Sequence, residues 1–489
     1  MTKTFNIRMV VKTLGTLLLV EAFFMLIPTF VSFYYAEHDF YPFLYGTIIT
    51  CVAGVLGLLS GRGASRELGE REGYVIVALV WVVFSLFGMI PYIFSSHITT
   101  VTDAFFECMS GFTTTGSTIL VNVDQAPHGC LIWRSIGQWL GGMGIIVFSL
   151  ALLPMFGLSG TQLYAAEVTG LTHEKLSPRI ADTAKRLYSI YIALTVANVL
   201  LLRLCGMNWF DAICHAMTTI ATGGFSTHDM SIAYFSSPMI EYVTIVFMFL
   251  SGINFSLLYF ILIGRVSRLW GDEEIRWYAG AILLCCVILS VGLFFESFGA
   301  DLHNIEKSFR TGLFVSTATL TSTGFIITDY LQWKSWMMLI LFFMMIPGAC
   351  AGSTSGGIKW VRIMIFVKNG ISEFTRRIHP NAVLPVKIND KLVSSQTIGN
   401  LMAFMLFYIA VIVVSSIVLC CLGLSFDQSI VSTVSAIGNY GASIDMFGPT
   451  GNFAEFPMLG KWWLSFVMLI GRLEIFTVLM LFTPALWKK

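Results

Sequence analysis

Charge is scarce in this chain. Asp, Glu, Lys and Arg make up 12% of its 489 residues and leave a net charge of +1, where soluble domains carry about 25% charge. So even a balance offers no basic face to nucleic acid. Metal-type patterns are missing too. The ten cysteines contain no C-x-x-C pair, and most lie in apolar runs such as Cys285-Cys286 and Cys420-Cys421, as packing residues do. The eight histidines are scattered, with no H-E-x-x-H, so no resident metal or other cofactor is expected. No nucleophile–base constellation emerges, and no stretch reads as a catalytic or nucleotide-binding domain, so the chain is not expected to be an enzyme. Alternating strands of about 10 residues, which a transmembrane barrel needs, are absent as well.

What the chain has is apolar length. Hydrophobic residues make up 56%, mean hydropathy is +0.79, and runs near 20 residues recur, enough to cross a hydrocarbon core roughly 30 Å thick. The fold class expected is an all-α polytopic membrane protein. Lys3, Arg8 and Lys12 before the first run resemble a signal peptide. The run continues to about Phe33 without a small-residue cleavage site, so it is expected to stay as the first span. A second, near 41–59, completes an N-terminal helical hairpin assigned to residues 1–71.

A pattern then repeats four times. A long apolar segment leads to a short one, then a glycine-ended turn, then another long segment. The turns are Thr113-Thr114-Thr115-Gly116, Ala221-Thr222-Gly223-Gly224, Thr321-Ser322-Thr323-Gly324 and Gly438-Asn439-Tyr440-Gly441. The repeats are assigned to 72–181, 182–273, 274–393 and 394–489, giving ten spans and four half-spans around a central pore with four-fold pseudosymmetry. Small-residue patches also let helices pack closely, but four in matching positions favour a pore. Asp103, Asp211 and Asp427 begin three half-spans, as helix N-caps or as an outer acidic ring. Glu107, one turn into its half-span, is expected to be buried and paired.

Basic residues orient the chain. With a cytoplasmic N-terminus, 22 of the 29 Lys and Arg fall inside, among them Arg62, Arg66, Arg71, Lys175, Arg179, Lys185, Arg186, Arg265, Arg268 and Arg276. Arg134, Arg203, Lys307, Arg310, Lys334 and Lys461 fall outside and Arg472 within a span. Both termini are then cytoplasmic, the four turns face outward, and 157–182 and 369–394 are inner surface loops.

A ring of neutral carbonyls can replace the water shell of a cation without trapping it. Glycine supplies the backbone angles such a turn needs, and a half-span whose C-terminus points to mid-membrane aims its negative dipole end at the ion. The four turns resemble the filters of the Trk/Ktr/HKT superfamily of cation transporters over nearly the whole chain. The N-terminal hairpin resembles the Trk branch (potassium-uptake subunits of the TrkH/TrkG type), not the shorter Ktr subunits. The resemblance implies a potassium-selective uptake channel of a bacterial inner membrane, with potassium as substrate at the four filters. It also implies a homodimer and a cytosolic TrkA-type regulatory ring that binds nucleotide; Arg376, Arg377 and Lys387 offer a docking surface for it or reflect positive-inside topology alone. Gly116 stands where some sodium-preferring plant relatives carry serine.

Between 336–347 and the basic-apolar segment from Lys359 lies Gly348-Ala349-Cys350-Ala351-Gly352-Ser353-Thr354-Ser355-Gly356-Gly357. Each glycine costs a helix about 1 kcal/mol relative to alanine, so the third repeat's second span is expected to break here. Ile358 stands where a phosphate-binding loop needs lysine. An ordinary cytoplasmic loop is the plain reading; the resemblance implies an intramembrane gating loop beneath the filter. A charge near the bilayer centre costs at least about 2.5–3.5 kcal/mol, so Arg472 faces a polar interior, as an ion pair with Glu474 or Glu107 or as a positive barrier working with the loop. Glu21 reads as a packing or dimer contact. Ion-coupled symport, a transporter for another solute and a non-transporting scaffold remain as alternatives.

Overall fold

The computed structural model describes residues 5–63, 69–95, 97–98, 100–151, 180–262, 264, 267–297, 301, 304–380, 382, 384–441 and 451–487. Residues 157–179 of the first inner loop, with Lys175 and Arg179, lie outside them, as do Arg66 and Arg265.

Helices Ile7–Tyr34 and Phe40–Ser60 form the N-terminal hairpin. They meet backbone to backbone, because Gly15 has no Cβ where one would lie 2.8 Å from the Gly54 carbonyl oxygen. The first repeat follows: Glu70–Gly88, kinked into Ile90–Phe94, then Val101–Phe112 and His128–Ala151. The second has Ile180–Leu204, Trp209–Ile220 and Pro238–Ser251. The third has Glu273–Gly292, Ile305–Leu320 and Ser335–Met344, and the fourth Ser395–Cys421, Phe426–Ile437 and Met458–Arg472. Val101–Phe112, at 12 residues, is roughly 18 Å long at 1.5 Å per residue, too short to cross.

Ten continuous spans are not what forms. Six described helices are long and apolar enough to cross a membrane. Beyond the expected break in repeat three, the second spans of repeats two and four are also divided. Pro238–Ser251 stops before Phe255–Leu262, and Met458–Arg472 stops before Phe476–Leu481. The physical reason lies in the centre of the molecule. The Gly252 carbonyl, freed by the first break, accepts from Cys350 N at 3.0 Å. At the second, Glu474 and Ile475 take positive φ values of 55° and 28°. The inner segment 369–394 is corrected as well: helix Trp360–Ile378 occupies its first part, and 387–392 form a two-stranded hairpin.

The repeats close in a ring. His128–Ala151 packs on Trp209–Ile220, Pro238–Ser251 on Ile305–Leu320, and Met458–Arg472 on Val101–Phe112. In these three pairs the second span of one repeat covers the half-helix of the next. Lys461 of repeat four reaches Asp103 of repeat one at 2.5 Å, and Arg310 of repeat three reaches Glu241 of repeat two at 2.7 Å. These bases sit at the rim as clamps between repeats.

Candidate functional site

Every half-helix ends the same way. The amides of Thr115, Gly223, Thr323 and Tyr440 donate five residues back, to Ser110, Thr218, Ala318 and Ser435, at 2.8–2.9 Å. That 6→1 closure requires left-handed backbone. Thr114, Thr222 and Ser322 have φ of 53° and Asn439 of 50°, and Gly116, Gly224, Gly324 and Gly441 have φ from 73° to 89°. Two left-handed residues separated by one form a concave turn that lines up carbonyls.

The turns also touch one another in cyclic order. A Cβ on Gly116 would lie 2.2 Å from the Gly223 carbonyl oxygen, one on Gly224 1.9 Å from that of Thr323, and one on Gly441 2.0 Å from that of Thr115. Repeat one thus abuts two, two abuts three, and four abuts one. Ser117 Oγ donates to the Gly441 carbonyl at 3.1 Å and Asn439 Nδ2 to Thr115 Oγ1 at 3.0 Å, sealing the last junction. The ring opens into a mouth bordered by the four glycines, His228 and Asp229.

The half-helix caps are Thr100, Asn208 and Ser425, not the aspartates, which sit inside the first turn. Nor do the aspartates form a free acidic ring: Asp103 pairs with Lys461, and Asp211 accepts from Thr227 Oγ1 at 2.6 Å and contacts His228. Burial pulls the His228 imidazole down, but the hydrogen bonds its ring donates to Asp211 and Asp124 outweigh this and hold it above its ordinary 6.5.

On the other side of the ring lies the 348–357 loop. Gly356 N donates to Ser322 Oγ at 2.7 Å, Thr354 Oγ1 to the Ile220 carbonyl at 3.0 Å, and a Cβ on Gly356 would sit 2.1 Å from the Gly438 carbonyl oxygen. The loop therefore touches the turns of repeats two, three and four at once. Gly348, Gly352 and Gly357 have φ of 70–76°. Ala349, Cys350, Ala351, Ser353, Thr354 and Ser355 are buried. Lys359, itself at φ 80°, turns its ammonium back onto the Ser355 carbonyl.

Arg472 crosses from repeat four to this loop. It donates to the Thr354 carbonyl at 2.7 Å and to the Gly141 carbonyl of repeat one at 3.1 Å. Neither acid considered for it is its partner. Glu474 pairs with Arg362 at 2.6 Å, and Glu107 with Arg134 at 2.7 Å. Arg472 Nε has no hydrogen-bond partner among the described residues. Among the described residues its guanidinium hydrogen-bonds backbone carbonyls and no carboxylate, directly against the loop.

Three residues at the site were not singled out as site residues from the sequence. Arg134, placed only among outer bases, is buried, pairs with Glu107, donates to the Ser226 carbonyl at 3.2 Å and lies over the Phe225 ring. Gln138 donates to the Gly223 carbonyl at 2.7 Å and accepts from Phe225 N at 3.1 Å. Glu274 holds the loop from below. In the first two cases the available signal was a polar side chain within an apolar run, which must find a buried partner.

Four equivalent half-helices around a closed ring, in a helical chain with membrane-length spans, define a polytopic membrane protein built on four repeats. Comparison with known proteins makes this specific: the chain belongs to the TrkH family of cation transport proteins, whose family profile matches residues 42–489. It is 38% identical to the Trk system potassium uptake protein TrkH of Escherichia coli K12, covering 99% of this chain and 100% of that one. It is 32% identical to TrkG of the same organism, over 99% of both chains. Its structure is similar to the crystal structure of the potassium transporter TrkH from Vibrio parahaemolyticus. The TM-score is 0.90 with 33% identity, covering 99% of this chain and 100% of that chain.

Proposed function

We propose that this chain takes potassium into a bacterial cell through the ring of four turns, that the 348–357 loop with Arg472 closes the path beneath it, and that a cytosolic nucleotide-binding ring of the TrkA type acts on a dimer of the chain. The observation that carries the reading is the four-fold recurrence of paired left-handed residues in contact around one ring. Such a ring offers an ion neutral backbone oxygens in place of water. The potassium-uptake names of full-length relatives support the choice of ion. A membrane potential of 100 mV contributes about 2.3 kcal/mol per inward charge, enough for roughly 50-fold accumulation. The positive-inside distribution of Lys and Arg supports cytoplasmic termini, with the loop on the inner side of the ring.

The test is ion flux into proteoliposomes under an imposed potential. Potassium and rubidium entry well above sodium entry is expected; equal entry of all three refutes the filter. Coupling to a proton is a second reading with one observation in its favour. Glu21 is fully buried beside Gly88, and neither carboxyl oxygen has a hydrogen-bond partner among the described residues. If uptake responds to a pH gradient at fixed potential and Glu21→Gln abolishes that response, the coupled reading replaces the channel.

A further inference from the structure

The 348–357 loop is gripped from below by one carboxylate. Glu274 Oε1 accepts from Ala351 N at 2.7 Å and from Val361 N at 3.1 Å. It thus ties the middle of the loop to the first turn of the helix that follows it. Glu274 is buried and belongs to the first turn of Glu273–Gly292.

The two residues before Glu274 face elsewhere. Asp272 caps the same helix, accepting from Glu274 N at 2.9 Å. Its other oxygen accepts from Asn389 Nδ2 at 3.0 Å. Glu273 N donates to Asn389 Oδ1 at 2.8 Å, and Asn389 N returns a bond to Glu273 Oε2 at 3.2 Å. Lys368, on the helix after the loop, reaches both Glu273 and the Lys387 carbonyl. Asn389 and Asp390 form the tip of the 387–392 hairpin, with φ of 45° and 61°. The hairpin lies at the end of the bundle opposite the mouth, since Glu273–Gly292 runs from it toward the half-helices.

We propose that Glu274 is a positioning residue that holds the loop across the path, and that Asn389 connects it to the hairpin, so that a displacement of the hairpin tip is delivered to Ala351 as release of the loop. The connection is short and continuous: hairpin tip, helix cap, carboxylate, loop. Asn389 is linked to the cap by three hydrogen bonds, so the tip cannot move away without disturbing the cap that orients Glu274. This proposal rests on the loop being the barrier to flux.

Single-channel recording of the full-length protein in planar bilayers, with matched flux in proteoliposomes, tests it. Glu274→Ala should shift the open–closed balance about tenfold toward open, with unitary conductance and the potassium-to-sodium ratio unchanged. Glu274→Gln keeps a carbonyl acceptor for both amides and should stay within about twofold of the parent. Asn389→Ala, at the partly exposed hairpin tip beyond the buried Ile388, should move the balance in the same direction as Glu274→Ala by a smaller factor. Arg472→Ala, which frees the loop from its other side, serves as the reference. If it raises open probability while Glu274→Ala and Asn389→Ala match the parent, the latch is overturned and the barrier stands. If all three match the parent, the barrier itself is wrong. If Glu274→Gln opens the pore as far as Glu274→Ala does, the acceptor role is refuted.

Discussion

Gly224 permits a direct test of the ring, because two costs of replacing it can be separated. It has φ of +77° and a Cβ there would lie 1.9 Å from the Thr323 carbonyl oxygen. Gly423, in the turn between Ser395–Cys421 and Phe426–Ile437, has φ of +96° and nothing within 4 Å of an added Cβ. Left-handed backbone costs an L-residue about 1–2 kcal/mol at either position. Only at Gly224 is there a clash as well, and relieving it requires the Thr323 carbonyl to recede by about 1.5 Å to reach ordinary contact. That oxygen belongs to the neighbouring turn, so one substitution displaces two quarters of the ring. Gly224→Ala is therefore expected to lower potassium flux in proteoliposomes by about 100-fold or more, with loss of preference over sodium. Gly423→Ala should keep flux and selectivity and lower the melting temperature by no more than about 2 °C. If the two variants behave alike in flux, or Gly224→Ala keeps the parent's ion ratio, the ring of contacting carbonyls is not what selects the ion.

Three further outcomes follow from particular side chains. Arg472→Ala removes the donors to both Thr354 and Gly141; it should fold and raise conductance in planar bilayers, and a variant that only loses stability would make Arg472 a structural strut. Glu107→Ala leaves Arg134 buried and unpaired, at about 3–5 kcal/mol, so detergent-extracted protein should melt far lower, while unchanged melting would show that the pair is dispensable. His228 has its proton held above the ordinary 6.5 by Asp211 and Asp124, so the bridge is fully present below pH 6.5 and is lost as pH rises through the raised value. Thermal stability should accordingly fall over that rise, and His228→Gln should flatten the profile; an identical slope in the variant would exclude His228 as its source.

Much of this architecture was legible in the chain because its signals are local. Span length, the short segments and the position of Gly116, Gly224, Gly324 and Gly441 depend on composition and on neighbours in sequence. Glu107 was readable as buried and paired, since a carboxylate inside a short apolar helix has few alternatives. Its partner was not, because Arg134 lies 27 residues away and sequence assigned it to the outer surface. The caps were misplaced by a few residues for a related reason: Asp103 and Asp211 suit a first turn as well as a cap, and the hydrogen bonds of Thr100 and Asn208 decide which.

What the sequence determines by itself is the class, the four-fold repeat and the glycine that ends each turn, because hydrophobic length and left-handed glycine are properties of short segments. Only the tertiary structure decides which repeat touches which, that Arg472 meets backbone carbonyls and not an acid, and that Glu274 grips the loop. Those contacts join residues as far apart as Arg472 and Gly141, which only closure of the ring brings within 3.1 Å of each other.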